Sequence, residues 1–285
     1  MLFTWRLCCS PGIAGATWRA GPPGAVRRPC PGRGRLSPMT RVAPKGSPVG
    51  PLRDQALAYA GHQVHVMRRR EAGTLLAWAG ELAGRTVLDV AGGDGYWAGR
   101  AVRRGARAVC LDLARGKLEF GRRLHGRPAL VEGDALALPF AEGSFDVVMS
   151  VCAIEHFDDG PSALAEMARV LRPGGDLVMS ADALTRADQW PDLFARHRER
   201  YHVKQTYTGD HLVKLLDERG LTVVRQTYMF RSRRAERLYL TLSAKGGRAG
   251  WNAAAPLSPI VARSDRRNPD GHGSVVLIHA RKRQP

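Results

Sequence analysis

The sequence predicts an α/β fold in which a mostly parallel β-sheet lies between two layers of helices. Short runs rich in Val and Leu alternate with amphipathic stretches that end in glycine, which is the pattern of a parallel sheet covered on both faces. The chain has 285 residues, of which 44% are hydrophobic, and this is enough for one sizeable domain with appendages. We therefore expect residues 51–285 to form a single domain.

The predicted elements follow one another from residue 54 onward. Apolar residues between Leu57 and Trp78 recur at helical spacing, which predicts one or two helices ahead of the sheet. Strands and helices then alternate through TVLDV, YWAGRAVRRG, AVCLDL, GKLEFGRRLHG, PALVEGD, FDVVMSV, SALAEMARVLRPGG and DLVMSADA. A helix at GDHLVKLLDERG, closed by Gly220, and a strand at LTVVRQTYMF come next. The last apolar run, SVVLIHA at 274–280, predicts an edge strand.

The first 50 residues differ in composition from the rest of the chain. The net charge of the chain is +18, and residues 1–53 contain nine basic residues but no acidic one. A Pro-, Gly- and Arg-rich segment without apolar periodicity predicts a disordered leader over residues 1–50. An organellar targeting segment is one interpretation, although Pro and Gly would interrupt the amphipathic helix such segments need. Translation that begins at Met39 is another.

Cysteine usage and hydropathy predict a soluble, cytoplasmic protein. The five cysteines form no CxxC pair and have no metal-ligand spacing, so we expect reduced thiols and no metal site. No stretch approaches the roughly 18 consecutive apolar residues of a membrane span. The basic charge favours anionic partners in general but specifies no contact.

A glycine-rich loop follows the first predicted strand directly, in VLDVAGGDGYW at 87–97. Parallel α/β sheets bind ligands outside the carboxyl ends of their strands, and glycine lets the backbone approach a ligand closely. Asp112 ends the second predicted strand, 17 residues after Gly95. This is near the interval of about 20 residues at which a carboxylate reaches ribose hydroxyls. The pattern predicts a cofactor with a nucleoside portion.

Two cofactor classes fit this loop. Gly93, Gly95 and Ala98 satisfy G-x-G-x-x-A, a weak signal for a nicotinamide dinucleotide and hence for a dehydrogenase. Asp89 and Asp94 favour the other class, because carboxylates repel a pyrophosphate but attract a sulfonium and an ammonium group.

Five motifs, VLDVAGGDG, LDLA, EGDALALPF, FDVVMSVCAIEHFDD and LRPGG, in this order and spacing, resemble the class I S-adenosylmethionine-dependent methyltransferases of the small-molecule, type-11-like group. The resemblance is close over about residues 85–182. It implies a three-layer α/β/α sandwich with a Rossmann-like, seven-stranded, mostly parallel sheet, in which the last strand is antiparallel and inserted beside the sixth. Residues 231–273 would be an insertion with a helix or two.

The resemblance also implies which residues bind S-adenosylmethionine. They are Asp89, Ala91, Gly92, Gly93, Gly95, Asp112, Leu113, Asp134, Ala135, Ser150 and Val151. Asp89 and the loop would hold the methionine end, and Asp112 would accept the ribose hydroxyls. Leu113, Asp134 and Ala135 would surround the adenine, while Ser150 and Val151 would lie under the sulfonium. Ala91 replaces the family's usual first loop glycine, and we expect its methyl group only to narrow the loop.

His156 follows the fourth predicted strand and is the candidate general base for a hydroxyl or phenol acceptor, a role that contributes roughly 10²- to 10⁴-fold. A positioning role stays open, because many such reactions need no base. The segment HRERYHVKQTYTGD supplies His197, Tyr201, His202 and Tyr207. These residues either line an acceptor pocket or cap the helix that follows.

The predicted function is methyl transfer to a small organic acceptor, with O-, N- or C-methylation left open. A nucleic-acid methyltransferase is an alternative, but base-methylating members of this fold carry an Asn- or Asp-Pro-Pro-aromatic run where this chain reads SVCAIEH. A partner protein that binds the cofactor without catalysing transfer is a further alternative, since its cofactor residues would look the same.

Overall fold

The computed structural model describes residues 66–125 and 128–284. The predicted leader over residues 1–50 and the first part of the predicted lead-in helices lie outside these ranges. No helix in the described ranges has the length and apolar character that a membrane span requires.

A seven-stranded sheet organises the described residues. Its strands are β1 (Thr86–Val90), β2 (Arg107–Asp112), β3 (Ala129–Glu132), β4 (Phe145–Val151), β5 (Leu171–Asp182), β6 (Leu221–Met229) and β7 (Val275–Lys282). The order across the sheet is β3-β2-β1-β4-β5-β7-β6. Strands β1 to β5 pair in parallel, whereas β7 is antiparallel to both β5 and β6. The predicted fold class is confirmed.

The last strand is not an edge strand, so that part of the prediction is wrong. β7 lies between β5 and β6, and its residues from Val275 to Ala280 are buried on both faces of the sheet. A continuous apolar run is typical of a strand that is covered on both faces. The insertion of β7 beside the sixth strand is as predicted.

Nine α-helices accompany the sheet in the described ranges. They are α1 (Val66–Trp78), α2 (Tyr96–Val102), α3 (Arg115–His125), α4 (Gly160–Val170), α5 (Pro191–Tyr201), α6 (Gly209–Asp217), α7 (Arg233–Thr241), α8 (Gly247–Ala253) and α9 (Ser258–Arg267). Side-chain caps fix several of their first turns: Asp159 accepts the Ser162 amide at α4, and Ser232 accepts the Ala235 amide at α7.

Residues 231–273 contain three α-helices, α7 to α9, where one or two were predicted. Many arginine residues lie between the apolar residues of this segment, so helical spacing is hard to recognise in its sequence. Its buried residues, among them Ala235, Trp251 and Val261, join the apolar cluster on one face of the sheet.

Two apolar clusters cover the two faces of the sheet. Leu88 and Val148 belong to the cluster that includes α4 and α6, whereas Val87 and Val147 belong to the one that includes α1 and α2. Neighbouring residues of one strand fall in different clusters because side chains alternate between the faces of a strand. The polar groups described below lie at and just beyond the carboxyl ends of these strands.

Candidate functional site

Three buried carboxylates surround the loop between β1 and α2. An Asp89 oxygen accepts a hydrogen bond from the Ala98 amide at 3.1 Å. Asp112, at the end of β2, accepts the amide of Gly93 at 2.8 Å on one oxygen and that of Ala114 at 2.8 Å on the other. Asp94 accepts the Tyr96 amide at 3.1 Å. Hydrogen bonds therefore connect the loop and the first turn of α2 to carboxylates in β1, in β2 and in the loop itself.

Burial raises the pKa of Asp89 to about 8, and the nearby charges of Asp112 and Asp94 act in the same direction, against the lowering effect of the Ala98 amide. The Asp89 carboxyl is consequently mostly protonated at neutral pH when no cation is present. A cation bound beside the loop would favour its ionised form.

At Gly92 the loop backbone passes too close to its neighbours to allow a side chain. A Cβ at Gly92 would lie 2.6 Å from Cγ of Asp89 and 2.7 Å from Sγ of Cys110. Ala91 has a φ of 56°, a conformation that costs a residue other than glycine about 1–2 kcal/mol. The alanine that stands in the usual glycine position is thus accommodated with backbone strain.

The remaining predicted cofactor residues lie along the same edge of the sheet, at the ends of β2, β3 and β4. Leu113 follows Asp112 and is 64% exposed, so it offers an apolar surface to a ligand. Asp134 is exposed and accepts the Leu136 amide at 2.9 Å, and Ala135 beside it is buried. Ser150 is fully buried, and its hydroxyl has no hydrogen-bond partner among the residues described.

A second buried polar group, which sequence reasoning mostly missed, lies at the end of β5. Asp182 ends that strand, and one of its oxygens lies 2.7 Å from Nε2 of His197 on α5. Its other oxygen accepts the hydroxyl of Tyr239, on α7, at 2.7 Å. Burial opposes ionisation of Asp182, but the bonds from His197 and Tyr239 outweigh it and lower its pKa.

Helix α1 brings Glu71 to the same region. One oxygen of Glu71 accepts the Ser180 hydroxyl at 2.6 Å and the Cys152 thiol at 2.9 Å, and the other pairs with Arg68 at 3.0 Å. Asp182 had a sequence signal, since it ends an apolar strand as Asp112 does. Glu71 had none, because only folding brings α1 to the ends of β4 and β5.

Cys152, Glu155 and Asp182 present potential metal-ligand atoms within 4.8 Å of one another. Both oxygens of Asp182 are, however, engaged by His197 and Tyr239. Burial also raises the pKa of the Cys152 thiol, which disfavours the thiolate that a metal requires. We therefore assign no metal to this group.

The predicted base, His156, lies in the 3₁₀ turn Ile154–His156 after β4 and is half-buried. Burial lowers its pKa, and its Nδ1 has no hydrogen-bond partner within the described part of the chain. Of the four residues predicted to line a pocket or cap a helix, His197 and Tyr207 are buried, whereas Tyr201 and His202 are exposed. The role of His156 stays a prediction.

Helix α3 packs on the glycine loop through Gly121, where an added Cβ would lie 1.9 Å from the carbonyl oxygen of Asp94. Gly121→Ala should therefore displace the loop or the helix. Overpacking of this kind costs about 3 kcal/mol at the upper end of its usual range, against about 1 kcal/mol gained in helix propensity. We expect a loss of about 2 kcal/mol in the free energy of unfolding, measured by urea denaturation.

The matched control is Gly73→Ala in the interior of α1, where an added Cβ would meet no atom within 4 Å. This variant should become more stable by about 0.5–1 kcal/mol. Equal effects of the two substitutions would contradict the close approach of α3 to the loop.

Comparisons with known proteins agree with this architecture. Residues 88–179 match a family model described as a methyltransferase domain. An O-methyltransferase from Aspergillus nomiae, rstn1, is 30% identical over 165 residues, which are 55% of this chain and 72% of that protein. A demethylmenaquinone methyltransferase from Renibacterium salmoninarum is 41% identical over 101 residues, or 35% of this chain.

The chain spans 43% of the length of the Renibacterium protein, which is less than half. Among solved structures, geranyl diphosphate C-methyltransferase from Streptomyces coelicolor, in complex with Mg²⁺, geranyl diphosphate and S-adenosyl-L-homocysteine, superposes with a TM-score of 0.58. It is 17% identical and covers 75% of this chain and 77% of its own. At that identity the likeness concerns the fold alone.

Proposed function

The chain belongs to the class I S-adenosylmethionine-dependent methyltransferases, and from this membership we propose that it transfers a methyl group from S-adenosylmethionine to a small organic acceptor. The names of its relatives include an O-methyltransferase, a demethylmenaquinone methyltransferase and a C-methyltransferase of quinone biosynthesis. They support a small-molecule acceptor and leave the methylated atom open.

The observation that carries the proposal is the acidic surrounding of the glycine loop. Asp89, Asp94 and Asp112 are all buried, and their mutual repulsion helps to keep Asp89 protonated. A diphosphate would add negative charge to this surrounding, whereas a sulfonium and an ammonium group would compensate for it. The residues present therefore fit S-adenosylmethionine better than a dinucleotide.

We assign the remaining cofactor contacts by chemistry. Each oxygen of Asp112 accepts one amide hydrogen bond and keeps further capacity to accept a ribose hydroxyl. Leu113 would pack on the adenine, with Asp134 and Ala135 at its edge. The buried Ser150 hydroxyl, which has no bond within the described residues, would face the bound cofactor beside Val151.

The protein's main contribution to transfer would be to orient the acceptor. When bound, S-adenosylmethionine supplies a methyl carbon attached to a cationic sulfur, which is already a good leaving group. Holding a nucleophile in line with that carbon contributes up to about 7–11 kcal/mol. His156 stays our candidate from the sequence for a group that orients the acceptor or accepts its proton.

Calorimetric titrations with S-adenosylhomocysteine and with NADH test the cofactor. We expect one molar equivalent of S-adenosylhomocysteine to bind and NADH to give no heat of binding. Binding of NADH without S-adenosylhomocysteine would end the methyltransferase proposal.

Incubation of a cell extract with the protein and S-adenosylmethionine labelled in its methyl group tests the acceptor class. Label should enter the small-molecule fraction. Label in nucleic acid would favour the alternative substrate, and binding without transfer would indicate a non-catalytic partner protein. We also propose a cytoplasmic location, which the free thiols of Cys110 and Cys152 support.

A further inference from the structure

The pair of His197 and Asp182 has the geometry of a general base with its orienting carboxylate. Nε2 of His197 lies 2.7 Å from Asp182, and the side chains are only 2% and 5% exposed. An ionised carboxylate can only accept a hydrogen bond, so Nε2 carries a proton, and in the neutral imidazole that would act as a base the lone pair is on Nδ1. Tyr239 donates to the second oxygen of Asp182 at 2.7 Å and so fixes the plane of the carboxylate.

Polar atoms near this pair are buried and lack a hydrogen-bond partner among the described residues. Nδ1 of His197 is buried and has no hydrogen-bond partner in residues 66–125 and 128–284. An oxygen of Glu155, a residue with a ligand atom within 4.8 Å of Asp182, is also buried without a partner among these residues. Buried polar atoms nearly always form hydrogen bonds, so each of these atoms indicates a place for a polar partner.

The pair lies on the side of the sheet where an acceptor would meet the methyl group. Along the order β2-β1-β4-β5, Asp112 marks the ribose side, the glycine loop follows β1, and Asp182 ends β5. Neighbouring strands lie about 4.8 Å apart, so Asp182 is roughly 10 Å from the end of β1. In open α/β sheets, ligands bind outside these carboxyl ends.

We propose, building on the function above, that Nδ1 of His197 is the general base for an acceptor that presents a hydroxyl or phenol group. The acceptor oxygen forms the new bond to the methyl carbon and gives its proton to Nδ1. The electron pair of the broken carbon–sulfur bond stays on sulfur, and Asp182 stabilises the imidazolium that forms. Asp182 and Tyr239 act as positioning residues.

His156, the candidate base from the sequence, lacks this arrangement, so we retain for it only the positioning role that the sequence left open. Burial lowers its pKa, and no carboxylate hydrogen-bonds to it among the contacts of the described residues. The charged and titratable groups around the His197–Asp182 pair come from four elements: Asp182 on β5, Tyr239 on α7, Glu155 and His156 in the 3₁₀ turn, and Arg68 and Glu71 on α1.

The activity test compares the wild type with His197→Gln on a panel of simple phenols, catechols and hydroquinones, with tritium-labelled S-adenosylmethionine. We expect the wild type to methylate oxygen in this panel and the variant to lose roughly 10²- to 10⁴-fold in kcat. The exposed His272→Asn should keep the wild-type kcat.

Tyr239→Phe provides a second variant that keeps the aromatic packing against Phe230 and Trp251. It should lose on the order of tenfold in kcat, because the carboxylate retains its bond to His197, with little change in KM. This variant keeps the test decisive even if His197→Gln does not fold.

A measurement without turnover uses protein labelled with ¹⁵N in histidine and saturated with S-adenosylhomocysteine. The ring signal that His197→Gln removes should show a proton on Nε2 and none on Nδ1. Three results would each overturn the inference. The first is the opposite tautomer, and the second is that no phenol in the panel is methylated. The third is that folded His197→Gln keeps more than one-tenth of the wild-type kcat. Failure to bind S-adenosylhomocysteine would instead contradict the proposed function itself.

Discussion

Asp89→Asn should weaken binding of S-adenosylmethionine by roughly 30- to 4,000-fold. The substitution removes the one buried carboxylate within β1, and loss of one partner of a buried charge pair costs about 2–5 kcal/mol, with about 1.4 kcal/mol for each factor of ten. The asparagine oxygen can still accept the Ala98 amide that Asp89 accepts now, so the fold should persist. Calorimetric titration gives the affinity, and an affinity within threefold of wild type would show that Asp89 does not face the cation.

The raised pKa of Asp89, about 8, gives this prediction an independent readout. Because the free protein holds this carboxyl mostly protonated at pH 7 and a bound cation favours its ionised form, binding should release up to one proton. Titrations in phosphate and in Tris, which have different ionisation enthalpies, measure that number. Asp89→Asn should release none.

The same pKa predicts how stability depends on pH. Between the unfolded value near 3.9 and the folded value of about 8, the folded protein holds one proton more than the unfolded chain. This contribution is complete below pH 4 and is lost as the pH rises through 8. Relative to wild type, the ligand-free Asp89→Asn variant should therefore gain up to about 1.4 kcal/mol per pH unit between pH 5 and 8. Urea denaturation at both pH values measures the difference.

Asp112→Ala should weaken binding of S-adenosylhomocysteine by roughly 10- to 150-fold, because hydrogen bonds to a charged acceptor contribute about 1.5–3 kcal/mol. Substitution also leaves the Gly93 and Ala114 amides without their present acceptor, so the loop loses part of its anchoring. Calorimetry measures the affinity, and circular dichroism checks that the fold is retained.

Asp210→Ala is the control for removal of one negative charge, since Asp210 is exposed on α6 and should leave the affinity unchanged. Asp112→Asn, which keeps an acceptor for the Gly93 amide, should fall between wild type and Asp112→Ala. If Asp112→Ala binds as tightly as wild type, the ribose lies elsewhere.

Features that depend on local pattern could be predicted from the sequence. The glycine loop after β1 was predictable because a strand-to-helix turn that binds a ligand needs backbone freedom. The acid at the end of β2 was predictable because the carboxyl ends of parallel strands lie at the same edge of the sheet. The parallel direction of the first five strands was predictable because apolar strands alternate with amphipathic helices along the chain. These signals are readable because each lies within a few residues of the element it describes.

The sequence by itself determined the α/β class, the seven strands and the candidate cofactor loop, because residue periodicity and short motifs encode them. Only the tertiary structure decided that β7 lies inside the sheet and that Glu71, Asp182, His197 and Tyr239 meet at its edge. Those residues come from four elements that are separated by up to 168 positions in the chain. Their hydrogen bonds and altered pKa values arise from burial and from distances between side chains, which no spacing along the chain specifies.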